Sequence, residues 1–287
     1  MRILRRIDEV RQFVSQAHQA GHRVGLVPTM GYLHAGHLSL IHRIRTHADS
    51  VIATIFVNPT QFGPGEDLDA YPRDEEGDLE KARAAGCDAV FLPTVDAMYP
   101  RGSETRIRPG PMANQLCGGR RPGHFEGVCT VVLKLFHLTR CDVACFGEKD
   151  FQQLAIIRRM VKDLDLSVDV LSGPIVREDD GLAMSSRNVY LDAPERAQAP
   201  ILRRALLKAE ALWSDGERDP NVLGQCVRTC LSEASLAKID YIEVCDANSL
   251  HPWDGECAGV TVIAIAVFFG HTRLIDNCEL GTESRTS

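Results

Sequence analysis

The sequence has no long apolar run. Its longest, Val260 to Phe269, is about half of the roughly 20 residues a membrane helix requires, so no membrane partner is expected. It has no excess of positive charge either. Acidic residues number 39 against 32 Lys and Arg, for a net charge of -7. A general nucleic-acid coat protein carries the opposite sign, so no nucleic-acid partner is expected. Any anionic ligand has to be met by a local basic site and not by the overall field. The start, Met1 to Arg6, lacks the apolar core of a secretory signal. Ten cysteines are present but none forms a CxxC pair. The nearest spacings are Cys141/Cys145 and Cys226/Cys230, while Cys87, Cys129 and Cys245 sit among apolar residues. Reduced, mostly structural thiols in a cytoplasmic protein are the expectation. Also missing are GxxxxGK[ST], GxGxxG and HExxH. Their absence disfavours Walker-loop kinases, NAD enzymes and that type of zinc site.

What is present is the composition of an ordinary globular protein, 44% hydrophobic and 25% charged over 287 residues. That length suits one large domain or two modest ones and supplies a sizeable core. The first part alternates strand and helix signals. Strands are expected at 23–28, 50–57, 87–93, 142–147 and 167–173, with helices near 36–48, 74–86, 128–138 and 150–164. Such alternation predicts an α/β fold, a Rossmann-like parallel sheet. After about Val176 the pattern changes to two helical segments, 194–212 and 219–233, then three strand-like runs. A smaller α+β C-terminal domain is expected, dividing the chain into 1–176 and 177–287.

Chemistry concentrates in five segments. Met30-Gly31-Tyr32-Leu33-His34-Ala35-Gly36-His37 leaves a strand and enters a helix, where parallel sheets bind ligands and a helix start receives anions. His34 and His37 share a helix face and can donate to phosphate oxygens; a plain helix cap with two surface histidines is the alternative. Asn58 and Gln61 end the second strand, and their amides suit a small hydroxylated carboxylate; an Asn-Pro turn is the alternative. Arg121 and His124 lie in a glycine-framed cationic loop, which could equally be solvated. Gly147-Glu148-Lys149-Asp150 opens another helix, with Lys149 a point charge for phosphate, Asp150 a candidate cap and Gln153 one turn on. Met184-Ser185-Ser186-Arg187 can close over a triphosphate as a lid, or be a polar interdomain loop. Asp78 is a candidate metal contact on spacing alone.

Taken together, VPTMGYLHAGH, FVNPTQF, RPGHFEGV, FGEKDFQQL and DGLAMSSRN resemble the motifs of the pantoate–β-alanine ligase family, in that family's order, through most of residues 23–191. HTRLIDN resembles its C-terminal strand. HAGH alone indicates only the broader class of nucleotidyl-transferring α/β proteins. The resemblance implies that magnesium-ATP and (R)-pantoate form a pantoyl adenylate, which β-alanine converts to pantothenate. It implies ATP-binding roles for Met30 through His37, for Gly147, Glu148, Lys149 and Asp150, for the Val176 backbone, and for Met184, Ser185, Ser186 and Arg187. His34, His37, Lys149, Ser185, Ser186 and Arg187 are the implied catalytic set, with His37 the principal histidine. Gln61 and Gln153 are the implied pantoate and β-alanine ligands, with Asn58, Arg121 and His124 of second rank. No metal ligand is assigned, and a homodimer is implied. A nucleotidyltransferase that stops at the adenylate, and a nucleotide-binding regulatory module without turnover, are the alternative readings.

Overall fold

The computed structural model describes residues 1–282. The chain begins with β1 (Arg2–Leu4) and α1 (Ile7–Gln19), neither expected from the sequence. In α1, Val10, Val14 and Ala17 form a buried stripe, and Glu9 accepts the Arg5 and Arg6 backbone N–H groups that open the helix. Then follow β2 (Val24–Thr29), α2 (Ala35–Arg45), β3 (Ser50–Ile55), α3 (Glu75–Ala84), β4 (Ala89–Phe91), α4 (Val95–Met98), α5 (Leu116–Arg120), α6 (His124–Thr139), β5 (Val143–Gly147), α7 (Phe151–Asp163) and β6 (Asp169–Gly173). The expected helix at 128–138 begins four residues earlier, at His124, after Gly123 in a left-handed conformation.

The six strands form one sheet in the order β1-β4-β3-β2-β5-β6, with every neighbouring pair parallel. β2 and β3 are apolar and almost wholly buried, as central strands covered on both faces must be. Chain order reverses at β2. The path to β3 runs one way, and β5 lies on the other side. Such a switch point opens a crevice beyond the carboxyl ends of the strands.

By compactness the chain forms two units, and the division is discontinuous. The first unit contains Met1–Ala113, Arg121–Glu148 and Gln153–Ile175. The second contains Asn114–Arg120 and Lys149–Gln152 as well as the described chain from Val176 onward. The single boundary expected near Val176 omits those two short segments. The second unit holds α8 (Ala193–Gln198), α9 (Ile201–Ser214), α10 (Pro220–Leu231), β7 (Ala237–Asp246), β8 (Thr261–Phe269) and β9 (Thr272–Leu280). The one helix expected at 194–212 is two, because Pro200 between them has no N–H to continue the ladder. β7, β8 and β9 form an antiparallel sheet in that order. Leu202 and Leu206 of α9 and Leu223 and Val227 of α10 share a core with Ile263, Ile265 and Val267 of β8. Among the described residues no helix is long and apolar enough to cross a membrane.

Candidate active site

Three segments leave the same edge of the sheet from adjacent parallel strands. β2 and β3 end together, Thr29 beside Ile55. The β2–β5 register pairs Leu26 with Ala144, and both strands run three residues further, to Thr29 and Gly147. The Met30–Gly36 segment, the Asn58–Gln61 turn and Gly147–Glu148 therefore start at neighbouring points, as the parallel topology requires.

The loop after β2 is held from below. Gly31 and Tyr32 are both left-handed, at φ 87° and 52°. Thr29 Oγ1 accepts the Gly31 N–H at 3.1 Å and donates to the Thr54 carbonyl at 2.6 Å. Asp78, 1% exposed, accepts the N–H of Tyr32 at 2.7 Å and of Leu33 at 2.6 Å, one with each carboxylate oxygen. A Cβ on Gly31 would lie 2.9 Å from Asp78 Oδ2, so the loop needs glycine for space as well as for φ. Burial drives the Asp78 carboxyl above its ordinary value, against the pull of the two N–H groups and of Lys81. On sequence spacing Asp78 is a candidate metal contact. In the structure its two oxygens carry the loop, a role that no local spacing could reveal.

His34 caps α2. Its Nδ1 accepts the Gly36 N–H at 3.1 Å, and His37 Nδ1 accepts the His34 N–H at 3.3 Å. The rings lie 4.1 Å apart at 40°. A ring nitrogen that accepts from an amide carries no proton, so both neutral imidazoles hold theirs on Nε2. Each is thereby set as an Nε2–H donor at the positive end of a helix.

The Asn58–Gln61 turn is a second built unit. Asn58, 1% exposed, donates to Gln61 Oε1 at 3.1 Å and to the Gly127 carbonyl at 3.2 Å. Its Oδ1 accepts from Thr60 Oγ1 and from Tyr99 OH, each at 2.9 Å. Gln61 Nε2 donates to Met30 Sδ at 3.2 Å, joining this turn to the β2 loop. A Cβ on Gly127 would sit 2.3 Å from the Thr60 carbonyl oxygen, so only glycine lets α6 approach the turn. His124 Nδ1 donates to the Gln61 carbonyl at 2.8 Å, while its Nε2 accepts from Arg121 Nη1 at 3.1 Å. Arg121 also grips Glu66 with two bonds of 2.7 and 2.6 Å. Burial opposes the Glu66 charge, but the Arg121 bonds and charge outweigh it and hold the carboxyl below its ordinary value. Asn58, Arg121 and His124 thus support Gln61. Glu66, Tyr99 and Thr29 were not anticipated, because their partners lie tens of residues away in sequence.

In the second unit Lys149 and Asp150 belong to a short 3-10 turn that leads into α7, with Nζ 3.8 Å from the Asp150 carboxylate. Val176 and Met184 close a loop, the Met184 N–H donating to the Val176 carbonyl at 2.9 Å, beside an antiparallel bridge between Arg177 and Ala183. Ser185 caps the following 3-10 turn, Ser186–Tyr190, accepting the Arg187 N–H at 3.3 Å. Asn188 donates to Glu178 at 2.7 Å and to the Ala183 carbonyl at 3.2 Å. The arm carrying Met184 to Arg187 is therefore a braced loop. In the first unit Gln153 is the third residue of α7 and is half-buried. Its neighbour Gln152, in the second unit, is buried and bonds the Gln115 carbonyl at 2.7 Å.

A parallel sheet with a switch point, a histidine-capped helix beside it and an amide turn at the next strand define an α/β protein of the class that binds ligands at the carboxyl ends of its strands. The chain belongs to one family in that class. The family model described as pantoate-beta-alanine ligase matches residues 2–279. A pantothenate synthetase of Pelotomaculum thermopropionicum is 50% identical over 281 residues, 98% of this chain and 99% of that protein. One of Geobacter sulfurreducens is 50% identical over 99% of this chain and all of that protein. The crystal structure of the Thermus thermophilus pantothenate synthetase superposes with a TM-score of 0.92 at 43% identity, covering 97% of this chain and 99% of that one. The Francisella tularensis pantoate-beta-alanine ligase, described as complexed with beta-gamma ATP and beta-alanine, has a TM-score of 0.81 at 32% identity over 100% of both chains.

Proposed function

We propose that this enzyme condenses (R)-pantoate with β-alanine, using ATP and releasing AMP and pyrophosphate, through a pantoyl adenylate. The observation that carries the reading is the hydrogen-bonded histidine pair at the start of α2. Both Nδ1 atoms accept backbone N–H groups, so both rings offer Nε2–H at a helix start. The Francisella relative, described as complexed with beta-gamma ATP and beta-alanine, supports the same substrates here.

A pantoate carboxylate oxygen attacks the α-phosphorus, and the bond from that phosphorus to the bridging oxygen of pyrophosphate breaks. His37, with His34 behind it, donates to the phosphate oxygens on which negative charge grows. Removing one such preorganised donor typically costs about 10²–10³ in rate. Met30 through Gly36 line the nucleotide. Gly147, Glu148, Lys149 and Asp150 hold it, with Asp150 on the ribose, and the Val176 backbone meets adenine. Met184 to Arg187 close over the triphosphate. Gln61 and Gln153 take the hydroxyl and carboxylate of pantoate, and Gln61 also lies near β-alanine. The β-alanine amine then attacks the acyl carbon, the bond to AMP breaks and the amine sheds a proton. The two oxygen-rich anions repel, so holding them in line is a large part of the work, on the order of 7–11 kcal/mol in favourable intramolecular cases.

Magnesium enters with the triphosphate. Among the described residues no group of three His, Cys, Asp or Glu could hold a metal alone. We assign the ion mainly to phosphate oxygens and water, with Glu148 as the carboxylate of the nucleotide segment that would face it. Its chemistry there would be to offset phosphate charge. A cytoplasmic homodimer completes the proposal. The unpaired thiols support the location, and the family resemblance supports the dimer. The test is product analysis with ATP, Mg²⁺, pantoate and β-alanine. Equimolar AMP, pyrophosphate and pantothenate are expected, and ADP with phosphate would overturn the adenylate route.

A further inference from the structure

One strand of the second unit touches the supports of two cationic segments. Among the described residues β9 is an edge strand, paired only with β8. Two of its consecutive residues are buried and polar, Asp276 at 2% and Asn277 at 6% exposure. Consecutive strand residues face opposite sides, so the two side chains serve different neighbours.

Asp276 receives Arg177 in a fork, Nη1 to Oδ2 at 2.7 Å and Nη2 to Oδ1 at 3.0 Å. Arg177 Nη1 also donates to the Gly181 carbonyl at 3.1 Å. Arg177 is the residue bridged to Ala183, directly before Met184. Asp276 thus fixes the base of the Met184–Arg187 arm. Asn277 Nδ2 donates to the Lys149 carbonyl at 3.0 Å and so fixes the turn that carries that ammonium. A planar fork and an amide donor are directional contacts, and both are buried, where an unmatched polar group is costly.

We propose that Asp276 and Asn277 are positioning residues for triphosphate binding: adjacent positions on one strand set where Lys149 and Arg187 stand. This rests on the reading that Lys149 and the arm hold ATP. Neither residue needs to touch the nucleotide. Their effect passes through the Lys149 turn and the Arg177 loop.

Steady-state kinetics of Asn277→Ala, Asn277→Gln and Lys149→Ala in the full-length protein test it, with thermal melts alongside. Asn277→Ala should raise KM for ATP about tenfold, the upper scale of one lost hydrogen bond. KM for pantoate should stay within about twofold, the scatter expected when distant sites do not couple. Asn277→Gln, which keeps an amide donor, should recover part of the loss and supplies the comparison if the alanine variant folds poorly. In the Lys149→Ala background the Asn277 substitution should cost less than in wild type, because the two act through one turn. Asp276→Asn should likewise shift ATP before pantoate. Equal shifts for both substrates, or none, would overturn the positioning role. If Lys149→Ala itself leaves ATP binding unchanged, the nucleotide reading of that residue fails instead. If Lys149→Ala weakens ATP and Asn277→Ala does not, only the positioning inference fails.

Discussion

Asp78 and Tyr32 are 46 residues apart in the chain, yet the buried Asp78 carboxylate accepts the Tyr32 amide at 2.7 Å and holds that residue in a left-handed conformation. The loop after β2 is thus shaped by α3, an element that otherwise reads as a charged surface helix. Asp78→Ala leaves two amides of the loop without their acceptor. It should lower stability by about 1–3 kcal/mol, the range for an unsatisfied buried group, and cut adenylate formation. Gly31→Ala disturbs the same link from the other side and should lower adenylate formation as well. Thermal melts and pyrophosphate exchange check both variants.

His37→Ala should lower adenylate formation by about 10²-fold or more, with the fold retained. Near-normal turnover would contradict the donor role. The ¹⁵N shifts of the imidazoles in the resting enzyme should show protonated Nε2 and bare Nδ1 in both His34 and His37.

Gln61→Ala should weaken pantoate binding while ATP affinity is largely kept. The Gln61 side chain meets Asn58 and Met30, and its backbone is held separately by His124 and Arg121. Truncating the amide should leave the turn in place. Separate KM values for the two substrates measure this, and an equal loss of both would indicate general damage.

The Glu66–Arg121 pair gives a pH prediction. The folded carboxyl lies below its ordinary value of 4.5, burial being outweighed by Arg121. Its stabilisation is therefore complete above that value and lost as the pH falls through the lowered folded one. Glu66→Gln should melt below wild type at neutral pH. The gap should narrow as the pH falls below 4.5 and close once it has fallen through the lowered folded value.

The thiols should be slow. Burial pushes Cys87, Cys129, Cys141 and Cys245 up to about 12 and Cys145 to about 11. All ten cysteines are free, and only Cys117 and Cys226 are partly exposed. Alkylation of the native protein, read by mass spectrometry, should mark those two first.

The alternating strands are legible because β2 and β3 are short, mostly apolar runs bounded by turns, with β3 rich in β-branched residues, and the segments at Met30, Asn58 and Gly147 because each lies at a strand end. β1 is not legible: it is three residues long and buries only Leu4. α1 does carry a helical signal in the spacing of Val10, Val14 and Ala17, but it stands in a mostly polar stretch. What the sequence could not show is which side chain supports which loop. Asp78 with Tyr32, Arg121 with Glu66 and Arg177 with Asp276 each join residues far apart, and only the folded chain brings them together. The same holds for Asn58 and Arg121. Their motifs mark them as functional, and the geometry makes them supports of Gln61.

The most direct test of the adenylate account is isotope exchange between labelled pyrophosphate and ATP with pantoate present and β-alanine omitted. The account predicts exchange that requires pantoate and Mg²⁺ and falls about 10²-fold in His37→Ala. Absence of exchange until β-alanine is added, in an enzyme that still makes pantothenate, would contradict it.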